Sequence, residues 1–164
     1  MRFVDASVFL HAYLRPVKKL PPEIETMKAK ARDIVTRISH GERVATSLVH
    51  VSEIANILEA RANLQTALEI LSGLLSLPNL IVLEPSVDSY QSALLESERY
   101  SIGVNDALVC VLMRAEGTSG IYSFDRDYDR LKDITRVAEQ SPKRGRRRCD
   151  ARLPSRRRRA ERRL

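Results

Sequence analysis

Residues 103–129 read GVNDALVCVLMRAEGTSGIYSFDRDYD, and the fold follows from how this stretch is parsed. Asn105-Asp106 opens an apolar periodic run, which puts Asp106 at or near a helix N-terminus. Asp106, Cys110 and Met113 then share one helix face, with Val109 beside them. A carboxylate at the head of a core-facing stripe needs a compensating partner, because burying a charge alone is costly. Gly117 and Gly120 supply a turn, and Ile121 to Phe124 form a short β-type run. Asp125, Asp127 and Asp129 come directly after it. Acidic residues just beyond the carboxyl end of a strand stand where open α/β sheets build their sites.

Working outward, Arg2 to Val4 reads as a strand that delivers Asp5 at its carboxyl end. Ser7 and the apolar Val8-Phe9-Leu10 begin a short helix that stops before Pro16. An amphipathic helix follows, with its stripe on Ile24, Met27, Ala31, Ile34, Val35 and Ile38 and its end at Gly41. Val44-Ala45 is a brief strand, and Thr46 or Ser47 caps a helix reaching about Ala60. Glu53 lies in that helix on a line with Val49 and Ile57, among apolar neighbours instead of on a solvated face. Leu64, Leu68, Leu71 and Leu75 mark a further helix. Leu80 to Leu83, bounded by Pro78 and Pro85, reads as a buried parallel strand. Ser86 caps a helix through Val87, Tyr90 and Leu94, and Thr135 to Ala138 forms a last strand. Strands separated by helical runs indicate an α/β fold with a sheet covered on both faces.

The net charge of +7 is unevenly placed. Residues 141–164 carry 12 bases against 2 acids, whereas the other 140 residues carry 16 bases against 19 acids. The body, residues 1–140, is therefore mildly acidic, and the basicity belongs to an Arg-rich tail too charged to fold alone, expected to be disordered. Cys110 reads as a small core residue and Cys149 falls in the tail, so neither a disulfide framework nor a metal-ligand spacing is present. No apolar run reaches the length of a membrane span, which makes a cytoplasmic protein the expectation. His11, His40 and His50 are not spaced as a ligand set and are assigned structural or surface roles.

Five acids stand out by context: Asp5, Glu53, Asp106, Asp125 and Asp127. Each has a bland reading. Asp5 and Asp106 could cap helices, and Asp125 and Asp127 could belong to a solvated turn, with Asp129 left on the surface. Glu53 has the weakest such reading, since no lysine or arginine stands one turn away to pair with it. If the acids converge, their repulsion demands a cation, and a hard divalent ion such as Mg²⁺ or Mn²⁺ suits oxygen ligands. Ions of that kind orient water and stabilise the charge that develops on a phosphodiester.

The segments FVDASVF, SLVHVSEIANIL, VNDALV and YSFDRDYD, in that order across residues 1–140, resemble PIN-domain proteins, in particular VapC-type toxins of toxin–antitoxin pairs. The resemblance implies an α/β/α sandwich with a mainly parallel central sheet. It implies a metal-dependent endoribonuclease using Mg²⁺ (or Mn²⁺), with Asp5, Glu53, Asp106 and Asp125 as the acidic quartet and Asp5, Asp106 and Asp125 on the metal. Ser7 would support the first acid, Asn105 would assist Asp106, and Asp127 resembles an additional acid. An RNA substrate, a homodimer and an inhibiting antitoxin are implied partners. The Arg-rich tail departs from the family pattern.

Two other strand-end acid chemistries fit poorly. A phospho-receiver wants paired acids after the first strand, and a haloacid-dehalogenase-like phosphatase wants an acid where Ser7 stands. The alternative that keeps the fold is a non-catalytic PIN-like RNA-binding or scaffold module, which loss of the acids would mark; all four are present.

Overall fold

The computed structural model describes residues 1–16 and 19–137 of the chain. The Arg-rich segment, Cys149 and the end of the expected last strand lie outside the described residues. Along the chain come β1 (Arg2–Val4), α1 (Ala6–Tyr13), α2 (Pro22–Ser39), β2 (Val44–Ser47), α3 (Leu48–Arg61), α4 (Leu64–Leu75) and β3 (Leu80–Leu83). They are followed by α5 (Val87–Tyr100), α6 (Val104–Ala115), β4 (Gly120–Tyr122), a 3-10 turn (Asp127–Arg130) and β5 (Thr135–Arg136).

The five strands form one sheet in the order β3-β2-β1-β4-β5, and every neighbouring pair is parallel. Parallel neighbours cannot be joined by hairpins, so helices must carry each crossover and end up on the sheet faces. The two-residue alternation of the strands divides the core accordingly. Val4, Val44 and Tyr122 point to one face and pack against Phe9, Ile34, Ile38, Ile54 and Leu58 of α1, α2 and α3. Phe3, Ala45 and Ile121 point to the other and pack against Ala93 of α5 and Leu108, Val109 and Met113 of α6. The result is the expected α/β/α sandwich.

Local chemistry sets the boundaries. Ser47, Asn63 and Ser86 each cap the helix that follows by accepting the backbone N–H three residues on. Lys28 of α2 reaches the last carbonyls of α1, at His11 and Leu14 (2.8 and 2.5 Å). Gly117, at φ +60°, makes the left-handed turn between α6 and β4. Gly120, expected in that turn, instead opens β4.

Three sequence expectations shift. The apolar run Leu80 to Leu83 is an edge strand in which only Leu80 is buried. The apolar residues Val87, Tyr90 and Leu94 of α5 face outward, and the fully buried residue of that helix is Ala93. Leu64, Leu68 and Leu75 of α4 are also exposed, while Ala67 and Leu74 face the core. Among the described residues no helix is long and apolar enough to cross a membrane.

Candidate active site

Strand β1 lies at the centre of the sheet, with β2 and β3 on one side and β4 and β5 on the other. The direction of winding therefore reverses between β1 and β4, and the crevice at the carboxyl ends of these strands is where such sheets hold ligands. Asp5 follows β1 and Ser123 follows β4, the backbones being tied by Asp5 N–H donating to the Tyr122 carbonyl (2.9 Å). A cleft of about 420 Å³ opens at this edge. Asp5, Ser7, Glu53, Asn105, Asp106 and Asp125 all line it, so four separate chain segments deliver carboxylates to one place. No lysine or arginine among the described residues lines it.

The helix-capping reading of Asp5 fails on geometry. Asp5 occupies the N-cap position of α1, yet its side chain accepts no bond from that helix. The residue is 6% exposed and its carboxylate is turned toward other partners. Oδ2 accepts from Ser7 Oγ (2.5 Å) and Ser123 Oγ (2.7 Å), and His50 Nε2 lies 3.3 Å from Oδ1. Ser7 Oγ in turn accepts from Phe124 N–H (3.2 Å), and Ser123 Oγ accepts from Asp125 N–H (3.0 Å). These bonds end β4 at Tyr122 instead of Phe124 and aim the following acidic loop at the cleft.

Asp106 is the third residue of α6, whose N-cap is Gly103, so it caps nothing either. Tyr128 donates its hydroxyl to Asp106 Oδ1 (3.1 Å) from a fully buried ring. A Cβ at position 103 would come within 2.7 Å of Asp106 Oδ2, which is why a residue without one precedes this helix. Burial first, and the Asp5 charge second, push the Asp106 carboxyl from its ordinary 3.8 up to about 6. Glu53 is raised as well, by burial and then by Asp5.

Two groups of side chains stand close enough to share a cation, their ligand atoms all within 4.8 Å of one another: Asp5, His50 and Asp106, and Asp106, Asp125 and Asp127. Asp106 belongs to both. Asp127 N–H also donates to Asp125 Oδ1 (2.8 Å), and Arg130 lies 3.3 Å from the Asp127 carboxylate. Glu53 lines the cleft but belongs to neither close group. Asn105 is exposed on the wall, and the bond that holds Asp106 comes from Tyr128. Asp129 stays on the surface, paired with Arg136 at 2.8 Å. Burial pushes the Cys110 thiol up to about 12, as fits an inert core residue.

Ser123, Tyr128 and His50 were not singled out for the site from the sequence. For Ser123 the available signal was its place between the strand and Asp125. Tyr128 and His50 carried none, because their partners are 22 and 45 residues away in the chain.

A sequence comparison with curated proteins finds no match. Among solved structures, the chain is similar to VapC20 of Mycobacterium tuberculosis, described as a sarcin–ricin loop cleaving toxin, at 21% identity and a TM-score of 0.65, over 84% of this chain and 98% of that one. It is also similar to a chain of a toxin–antitoxin complex from Klebsiella pneumoniae (11% identity, TM-score 0.58, 82% and 96% covered). A third is VapBC2 from Rickettsia felis bound to a DNA fragment from their promoter (14%, TM-score 0.58, 83% and 96%). The PIN domain family model matches residues 2–134, nearly the whole described body. On that match, and with the parallel sheet and the acid-lined crevice in place, the chain belongs to the PIN-domain family.

Proposed function

We propose that the protein is a divalent-metal-dependent endoribonuclease and the toxin half of a toxin–antitoxin pair. The observation that carries this reading is the convergence of Asp5, Asp106, Asp125 and Glu53, from four separate segments, on one cleft lined by no lysine or arginine among the described residues. The fold likeness to VapC20, a toxin described as cleaving the sarcin–ricin loop, and to toxin–antitoxin complexes supports the assignment by analogy.

The donor set suits a hard cation. Asp5, Asp106 and Asp125 offer oxygen atoms, the preferred ligands of Mg²⁺ and Mn²⁺. Asp106, held up near 6 by burial and by the Asp5 charge, gains most from a neutralising ion. When bound, a divalent cation stabilises charge on the phosphoryl oxygens and lowers the pKa of a nearby water. The remaining work belongs to the chain. Ser7 and Ser123 fix Asp5, and Tyr128 fixes Asp106, so the carboxylates are set before substrate arrives. Glu53, on the wall and outside both close acid groups, is placed to orient the attacking water and accept its proton; its raised pKa suits that role. Water adds to phosphorus and loses a proton to Glu53, the bond to the ribose 3′ oxygen breaks, and that oxygen leaves, taking a proton from solvent water. The products carry 5′-phosphate and 3′-hydroxyl ends. Analysis of the fragment ends tests this, because a 2′,3′-cyclic phosphate would mean attack by the ribose hydroxyl and exclude the scheme.

The Arg-rich segment 141–164 adds 12 bases that would contact RNA phosphates. Its deletion is expected to weaken RNA binding and flatten the dependence of binding on salt, with cleavage persisting at high RNA concentration. An unchanged salt slope would take this segment out of RNA recognition. A homodimer and a cognate antitoxin complete the reading. Exposed Leu64, Leu68 and Leu75 on α4, and Val87, Leu94 and Leu95 on α5, give apolar surface for such contacts. Light scattering that returned the mass of one chain would contradict the dimer.

A further inference from the structure

His50 is almost wholly buried (1% exposed), on the first turn of α3, with its backbone N–H donating to Ser47 Oγ (3.2 Å). Its ring meets Phe3 edge-on, with centroids 5.9 Å apart at 65°, so the core fixes its plane. One ring nitrogen, Nε2, faces Asp5 Oδ1 at 3.3 Å, and the other, Nδ1, is buried with no partner among the described residues. A proton on Nδ1 would be an orphaned donor, which costs more than an empty acceptor, so the neutral ring carries its proton on Nε2.

A carboxylate has about four acceptor positions. Ser7 and Ser123 fill those of Asp5 Oδ2, and His50 Nε2 stands 3.3 Å from Oδ1, near enough for its N–H to be directed at one there. We propose that His50 is a positioning residue: by donating Nε2–H to Asp5 it fixes the carboxylate so that a single Oδ1 lone pair is presented to a cation in the cleft. This rests on the metal-site reading above and deepens it. Asp5, His50 and Asp106 also stand close enough for the imidazole to be a ligand itself. Direct ligation would move the proton to Nδ1, where nothing accepts it, and would break the contact with Asp5. The observations therefore favour a role through Asp5.

Two substitutions separate the possibilities. His50→Gln keeps a side-chain amide donor near Nε2, and His50→Leu keeps bulk without a donor. Titration calorimetry with Mn²⁺ alone should show binding weakened about 10- to 100-fold in His50→Leu and within about threefold of the parent in His50→Gln, the range typical for groups that support a metal ligand. Nitrogen NMR of the parent should find the His50 proton on Nε2, both with and without Mg²⁺. Undiminished Mn²⁺ affinity in a folded His50→Leu protein would reduce His50 to packing and overturn the proposal. Imidazole hyperfine coupling in pulsed EPR of the Mn²⁺-loaded parent would overturn it in favour of direct ligation. If the parent itself binds no Mn²⁺, the metal-site reading fails. The NMR result then decides the His50–Asp5 bond independently, and a proton on Nδ1 would refute it.

Discussion

Asp106→Asn should give a protein that melts higher than the parent in EDTA at neutral pH and yet no longer cuts RNA. The stability half follows from the raised carboxyl. With a folded pKa of about 6 against an ordinary 3.8, the native state binds the proton more tightly than the unfolded chain does. Native stability therefore falls as pH rises between those values, and the full cost is present above about 6. The corresponding difference is about 3 kcal/mol between protonation states, reduced to about 1–2 kcal/mol by water in an open cleft. Asparagine removes the charge and keeps the shape, so the melting temperature should rise by several degrees. The gain should vanish near pH 4, where the parent's Asp106 is protonated as well. The activity half follows from the presence of Asp106 in both close acid groups. Its loss should lower cleavage roughly 10²- to 10⁴-fold, the scale for removing one preorganised charge from a reaction site. A variant that melts below the parent in EDTA would contradict the burial and repulsion assigned to Asp106.

Divalent ions should reverse the order of the two proteins. A cation that binds only the folded state adds about 2.7 kcal/mol at a concentration 100-fold above its dissociation constant. It also relieves the Asp5 repulsion that, after burial, raises Asp106 and Glu53. Mn²⁺ should therefore raise the melting temperature of the parent by several degrees and that of Asp106→Asn far less, and EDTA should abolish both the stabilisation and the cleavage. Differential scanning fluorimetry across a Mn²⁺ series reads the first effect without needing a substrate. Equal stabilisation of both proteins by Mn²⁺ would place its binding away from this cleft.

Much of this arrangement could be read from the sequence because each acid is tied to a local signal. Asp5 ends a strand, Asp106 heads an apolar helix, and Asp125 follows a β-type run; the first two signals survive in the fold, and in the third the strand stops at Tyr122, three residues before Asp125. Glu53 was marked by its apolar neighbours at four-residue spacing, and it does line the cleft. What stayed hidden depends on long-range contacts. The apolar face of α5 looked like a core stripe, but the helix packs on α6 with Ala93 in the core, leaving Leu94 and Leu95 outside. The run Leu80 to Leu83 carries no mark that would distinguish an edge strand from a central one, and only the order of pairing makes it an edge. His50 reads as a core histidine in any helix pattern. Its contact with Asp5 arises because α3 starts directly at the end of β2, one strand away from β1, which aims the first turn of the helix at the carboxyl end of β1.

The most direct test is cleavage of a mixed small-RNA pool by the purified protein with Mn²⁺, with EDTA, and with Asp106→Asn beside it. The expected result is cutting that requires the ion, disappears in the variant, and leaves 5′-phosphate ends whose mapping begins to name the target. Cutting that persists in EDTA, or in Asp106→Asn with Mn²⁺, would contradict a metal site built on these carboxylates. An absence of cutting combined with an absence of Mn²⁺ binding would leave a PIN fold without catalysis.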